Sequence, residues 1–308
     1  MINSTPVTEF ILLGISDSPE LHTPLFVLFL MIYLLTILGN LLIIFLCKVD
    51  VYLQTPMYFF LGHLSLLDLC NSSAIVPKML VDMLAVRKAI SFGGCIAQFS
   101  FFIFFACSEC LLLSVMAYDR HVAICHPLRY PVIMYGSLCV QLAACSWAGG
   151  FLYSTLHTIA TFRLSFCGPT LIQHFFCDVP PLLALSCTSP FINVVLVFIS
   201  GGIVGLGSFL LTLISYIRII SAVLNIQSRS GKQKAFSTCA SHLTVVTFFF
   251  GAIIFTYFRP VESYALIEGR LVSMIYTIIT PLINPLVYTL RNQEMKGAFK
   301  RALKALGG

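Results

Sequence analysis

Long runs without a charged residue alternate along the chain with short polar breaks. Pro24 to Cys47, Ala235 to Phe258 and Leu271 to Leu290 contain no Asp, Glu, Lys or Arg, and longer uncharged stretches run from Tyr130 to Phe162 and from Val179 to Ile217. A helix needs about 20 mainly apolar residues to cross the hydrocarbon core of a bilayer, so each run predicts one span. The two long runs also hold connecting chain; Pro180, Pro181, Cys187 and Pro190 precede the helical part of the second. Two more apolar segments are interrupted by an acid, Pro56 to Leu80 by Asp68 and Ala89 to Tyr118 by Glu109. The pattern predicts an all-α integral membrane protein, a seven-transmembrane helix bundle.

Beyond Arg291 the period changes character. Met295, Ala298, Phe299, Ala302 and Leu303 recur at helical spacing, with Lys296, Lys300, Arg301 and Lys304 between them. This predicts a short amphipathic C-terminal helix lying on an anionic inner leaflet. The expected organisation is therefore an extracellular N-terminal segment (1–23), a seven-span domain (24–290) and a cytoplasmic amphipathic helix and tail (291–308).

Composition agrees with burial in lipid, since 58% of the 308 residues are hydrophobic and only 10% charged. Soluble domains average about a quarter charged residues, so this chain cannot coat a water-facing surface. The net charge of +6 does not indicate nucleic acid, because the bases are too few and scattered to make a binding face. They report orientation instead. With the N-terminus outside, twelve of the eighteen Lys and Arg fall in cytoplasmic segments, as the positive-inside rule requires. The N-terminal segment carries Glu9, Asp17 and Glu20 and no Lys or Arg. It lacks the basic start and short apolar core of a cleaved signal, so the first helix is expected to act as the insertion signal. Asn3-Ser4-Thr5 is a glycosylation pattern on the outer side, whereas Asn71-Ser72-Ser73 lies within a span and is discounted.

Of twelve cysteines, Cys95, Cys167, Cys177 and Cys187 fall in outer territory. Four cysteines on an oxidising side suggest two disulfides, with three connectivities open. The other eight read as small apolar residues. The short loops leave no room for a soluble catalytic domain. His63, His157 and His242 lie on separate helices without closely spaced ligands, so neither a catalytic nor a metal cluster is expected. A transporter would want discontinuous or repeated helices at the midplane, and no repeat is evident.

Polar residues that resist the bilayer mark the chemistry. A mid-membrane carboxylate costs roughly 2.5–3.5 kcal/mol on insertion scales and is a functional candidate by default, which selects Asp68 and Glu109. On the third helix, Phe102, Ala106, Glu109, Leu113, Met116 and Arg120 share one face. His242, Val246, Phe250, Ile253 and Tyr257 align on the sixth, and Met274, Thr277, Pro281, Asn284 and Tyr288 on the seventh. Pro281 and Pro285 each remove a backbone hydrogen bond and weaken the seventh.

An ordered set of motifs covers nearly the whole chain. These are Gly39-Asn40, LQTPMYFFLGHLSLLD (Leu53 to Asp68), MAYDRHVAICHPLRY (Met116 to Tyr130), ISYIRI (Ile214 to Ile219), KAFSTCASHLTVV (Lys234 to Val246) and PLINPLVYTLRN (Pro281 to Asn292). In this the chain resembles a rhodopsin-type G-protein-coupled receptor, specifically an olfactory receptor of class II. The resemblance implies an inner switch at Asp119 and Arg120, with Arg120 held locally at rest and reaching toward Tyr216 and Tyr288 on activation. It makes Asn284, Pro285 and Tyr288 the hinge of the seventh helix, and adds His242 to the coupling set. It implies a polar core of Asn40, Asp68 and Glu109, the two acids sharing a proton or holding a sodium ion, with no other cofactor. It pairs Cys95 with Cys177, leaving Cys167 for Cys187. His121 stands where most members have Tyr and Gln54 where many have His; both lie on the cytoplasmic side and bear on coupling or expression. Phe250 and Gly251 fit a family that lacks the Trp of other rhodopsin-type receptors.

The resemblance also places a ligand cavity between the outer halves of helices three, five, six and seven. Its expected lining is Phe99, Phe102, Ile103, Ala106 and Cys107, then Ser200, Gly201 and Val204, then Ile253 and Tyr257, then Met274 and Thr277. That set holds no ionisable acid or base, so an unpaired ligand charge would be costly to bury. The expected ligand is a small, neutral, mostly hydrophobic odorant, with Tyr257 the best hydrogen-bond donor. The expected partners are a stimulatory, olfactory-type G protein that raises cyclic AMP, and membrane lipid. The expected location is the plasma membrane, with the N-terminus extracellular.

Overall fold

Helix boundaries fall where local chemistry stops or starts the backbone ladder. Asp50 ends the first helix, α1 (His22–Val49), and its carboxylate accepts the Tyr52 amide at 2.9 Å. Pro56, whose missing N–H is no loss in a first turn, opens α2 (Pro56–Leu84). Ser91 caps α3 (Phe92–Cys125) by accepting the Gly94 amide at 3.1 Å. The order continues with α4 (Gly136–Phe162), α5 (Phe191–Leu224), α6 (Arg229–Tyr257), α7 and α8 (Gln293–Leu306). Helix α7 runs from Ile267–Met274 through a π-helical turn, Ile275–Ile279, into Thr280–Arg291. A second π turn, Gly202–Leu206, widens α5. The computed structural model describes residues 7–15, 18–167, 170–225, 229–257 and 267–306.

The bundle is apolar outside and polar within. Met31, Leu35 and Leu38 of α1 are half or more exposed, whereas Asn40, Asp68, Glu109 and Asp119 are completely buried. In water this would be inverted; in lipid it is required, because the interior is where polar groups can be satisfied. Among the described residues, five helices, α1, α2, α3, α5 and α7, are long and apolar enough to cross a membrane, and α6 contributes a shorter apolar stretch, His242–Thr256. Central α3 packs against α2, α4 and α5.

One end of the bundle carries a three-stranded sheet that hydropathy did not signal. Strand β1 (Glu9–Leu12) lies in the centre, antiparallel to β2 (Ala89–Ser91) and parallel to β3 (Leu171–Ile172). Phe10 and Leu12 point into the core, where Phe10 meets Phe92 and Phe166. Two disulfides, Cys95–Cys177 and Cys167–Cys187, staple the same end, in the pairing the family resemblance implies. Asn3 lies outside the described residues, and Asn71 is buried in α2.

At the opposite end α8 folds back onto the bundle. Met295 and Ala298, expected on a lipid-facing stripe, are instead fully buried against protein, while Leu303 stays exposed. Arg301 clamps Asp50 through Nε at 2.8 Å and Nη2 at 3.0 Å, its guanidinium 4.6 Å from the Tyr52 ring centre. Arg301 holds the Asp50 carboxyl below its ordinary range. A carboxylate stabilised in the docked state contributes above its free pKa and loses that contribution as pH falls through the lowered value. Docking of α8 should therefore weaken on acidification below the ordinary carboxylate range, and should weaken with salt because the pair is exposed. A fluorophore on α8 quenched from the α1–α2 connection would report it; a signal equally pH- and salt-sensitive in Asp50→Asn would refute the assignment.

Candidate functional site

A cavity of about 330 Å³ lies between α3, α4, α5 and α6, at the small end of ligand pockets. Helix α3 lines it with Phe102, Ile103, Ala106, Cys107 and Cys110, and α6 with Phe250, Ile253 and Ile254. The π turn of α5 supplies Val204, Gly205 and Leu206, next to Gly201. A Cβ at Gly205 would meet nothing within 4 Å, so this glycine leaves open space in the wall, whereas one at Gly201 would touch the Tyr153 hydroxyl at 3.6 Å. Val179, from the disulfide-held connection before α5, closes one side.

Seven of the twelve anticipated lining residues do line this cavity: Phe102, Ile103, Ala106, Cys107, Gly201, Val204 and Ile253. Four face elsewhere. Phe99 packs edge-on against Phe162 at 5.3 Å, and Thr277 donates to the Ser273 carbonyl at 2.7 Å. Met274 packs in the cluster around Phe102 and Tyr276. Ser200 lies just behind the wall, donating to the Leu196 carbonyl at 2.6 Å. The Tyr257 side chain is outside the described residues. Helix α7 contributes nothing among the described residues; its place is taken by Tyr153 and His157 of α4. The wall thus holds an ionisable base after all. A periodic signal does mark this face of α4: Ser146, Ser154, His157 and Thr161 recur at helical spacing and are all buried.

Deeper in the bundle the isolated acids meet. Asn284 donates through Nδ2 to both Asp68 oxygens at 3.1 and 2.9 Å, and Asn40 donates to the Pro281 carbonyl at 3.0 Å. Glu109 lies within Coulombic range of Asp68, and neither of its oxygens has a hydrogen-bond partner among the described residues. Below them, Arg120 donates to Asp119 Oδ2 through Nη2 at 2.7 Å and Nε at 3.2 Å. Tyr130 donates to Asp119 Oδ1 at 2.8 Å. Tyr216 and His242 join α5 to α6 through a 2.6 Å contact between the hydroxyl and Nδ1. The Tyr288 hydroxyl is buried with no partner among the described residues. Arg120 is thus held locally and reaches neither tyrosine. His121 packs edge-on against His126 at 5.8 Å, and Gln54 donates to the Cys47 carbonyl at 3.2 Å.

An apolar-outside helical bundle with buried acids and an oily internal cavity is an integral, multi-pass membrane protein. Residues 29–305 match the family model for the olfactory receptor. The chain is 53% identical over 302 residues to human Olfactory receptor 5A1, covering 98% of this chain and 96% of that one. It is 50% identical over 301 residues to mouse Olfactory receptor 5AP2, covering 98% and 95%. The chain belongs to the olfactory receptor family; it is a G-protein-coupled receptor and not an enzyme.

Proposed function

We propose that this receptor binds a small, neutral, mostly hydrophobic odorant in the cavity between α3, α4, α5 and α6. The odorant activates a stimulatory, olfactory-type G protein and raises cyclic AMP. The observation that carries the reading is the cavity itself, small and walled by Phe102, Ile103, Val204, Phe250 and Ile253 with no acid among its lining residues. An ammonium ligand would lose its hydration there without a counter-charge, and a carboxylate would meet only His157, whose neutral imidazole supplies none.

All seven long helices α1 to α7 span the plasma membrane, with the sheet end extracellular and α8 on the cytoplasmic leaflet, its exposed Lys296, Lys300 and Lys304 facing anionic lipid. The ligand binds more tightly to the state with the Arg120 end open, and so shifts the population toward it. Asp68 and Glu109 share a proton or hold a sodium ion. The unpartnered Glu109 oxygens support this, since two buried carboxylates need a neutralising charge.

The test is a cyclic AMP response to a panel of neutral, acidic and basic volatiles in cells carrying the olfactory G protein. Neutral apolar members should activate, and Arg120→Ala should abolish the response while surface expression is retained. Activation by carboxylates or amines alone would overturn the ligand class.

A further inference from the structure

The cavity wall is apolar except at one place, where α4 approaches α5. Tyr153 and His157 stack there with ring centres 4.3 Å apart, and both line the cavity. Behind them, Ser200 Oγ lies 2.8 Å from His157 Nε2 and 2.6 Å from the Leu196 carbonyl oxygen. A hydroxyl has one proton, and a carbonyl oxygen can only accept, so the Ser200 proton points to Leu196. Its oxygen is then the acceptor, and His157 Nε2 must carry the hydrogen. A neutral imidazole has one donor and one acceptor nitrogen. With Nε2 as donor, Nδ1 presents a lone pair, and no protein group among the described residues donates to it.

We infer that His157, its tautomer set by Ser200, is the polar anchor of this cavity and selects odorants that carry a hydroxyl group. The ligand O–H donates to Nδ1 while its hydrocarbon part fills the space beside Ile103 and Ile253. A carbonyl or ether oxygen on the same skeleton can only accept, and meets a lone pair instead of a proton, because the Tyr153 hydroxyl is engaged with Ser200. A site built to hydrogen-bond a substrate group discriminates strongly against the analogue that lacks it, because its own polar atom is left unpaired. The inference rests on the proposed role of the cavity as the odorant site and adds to it the functional group recognised. The same chemistry makes Ser200, which does not touch the cavity, a positioning residue.

The test uses matched probes on the full-length receptor: octanol, octanal and heptyl methyl ether, then menthol, menthone and menthyl methyl ether. The readout is cyclic AMP potency at matched surface density. The alcohol should lead each active set by roughly tenfold, the upper range for one net hydrogen bond. His157→Leu should erase that lead, and His157→Asn, which keeps an acceptor oxygen, should restore part of it. Ser200→Ala frees the imidazole to adopt either tautomer and should narrow the alcohol-to-carbonyl ratio with little change in maximal response. Ile253→Ala should instead shift all members of a set together. Equal potency of alcohol and ether, or an alcohol lead that survives His157→Leu, would overturn the inference and leave the cavity reading intact. A panel in which no probe activates the wild type, or in which Ile253→Ala and His157→Leu both leave every potency unchanged, would overturn the cavity reading itself.

Discussion

Replacing Gly150 by alanine is expected to force α3 and α4 apart and to deplete the receptor from the cell surface. An added Cβ there would collide with Ser108 Oγ and lie 2.7 Å from the Phe104 carbonyl oxygen and 2.9 Å from the Ser108 amide nitrogen. The serine hydroxyl can rotate away, but the two backbone atoms belong to the α3 ladder and cannot move alone. Close approach over small residues is how helices associate in a bilayer, where apolar burial supplies no drive between them. Relief must come from separating the helices, which also displaces Ser154 from its 2.5 Å hydrogen bond to the Ser100 carbonyl. Overpacking typically costs about 1–3 kcal/mol and occasionally more, and this site belongs at the upper end. Gly149 is the control. Its added Cβ would meet only Leu111 Cδ1, at 2.8 Å, the end of a flexible side chain, so Gly149→Ala should be the milder change. Surface fraction and thermal inactivation midpoint in detergent measure both. A Gly150→Ala receptor with wild-type values would contradict the packing.

The same contrast shows what a sequence can announce. Asp68 and Glu109 stood out because a carboxylate in an apolar run is expensive wherever it sits, and both proved fully buried beside Asn284 or one another. Arg120 was legible for the same reason, being a charge at the end of a long apolar face. The cost of burial is local, so it can be read locally. The α4 wall of the cavity was not legible. The buried polar stripe Ser146, Ser154, His157 and Thr161 marks the inner face of α4 but not what that face meets, and Tyr153 and His157 reach the cavity where α4 packs closely on α3 near Gly150. The π turn at Gly202–Leu206 was equally hidden. It turns Val204, Gly205 and Leu206 together toward the cavity, where a regular helical repeat would not have placed three successive residues. For α7, a second π turn at Ile275–Ile279 separates Met274 from the lower half of the stripe it was counted with. The sheet at the N-terminal end depends on contacts between segments far apart in the chain, Ile11 with both Ala89 and Leu171. Only four residues of β1 alternate, too few to reveal a strand.

Neutralising Asp119 is expected to raise ligand-independent signalling, and the ion pair gives the reason. Asp119 is almost completely buried and its Oδ2 takes both hydrogen bonds from Arg120, while Oδ1 takes the Tyr130 hydroxyl. Hydrogen bonds to a charged partner contribute about 1.5–3 kcal/mol, and neutral ones about 0.5–1.5 kcal/mol. Asp119→Asn keeps the shape and removes the charge, so it weakens the hold on Arg120 by roughly the difference between these classes. In the proposed activation step Arg120 leaves Asp119 for Tyr216 and Tyr288. The Tyr288 hydroxyl is buried without a partner among the described residues, so it is available to accept. Each 1.4 kcal/mol is about tenfold in a two-state equilibrium, which sets a several-fold to roughly tenfold rise in basal cyclic AMP for Asp119→Asn. Tyr130→Phe removes one neutral donor from Oδ1 and should raise the basal signal less, in the same direction. Combining Asp119→Asn with Arg120→Ala should be silent, because the group that moves is gone. These values must be taken at matched surface density, since breaking a buried ion pair also destabilises the fold by about 3–5 kcal/mol when one charge is left uncompensated. A basal signal in Asp119→Asn equal to wild type, with the odorant response intact, would show that Asp119 does not restrain Arg120.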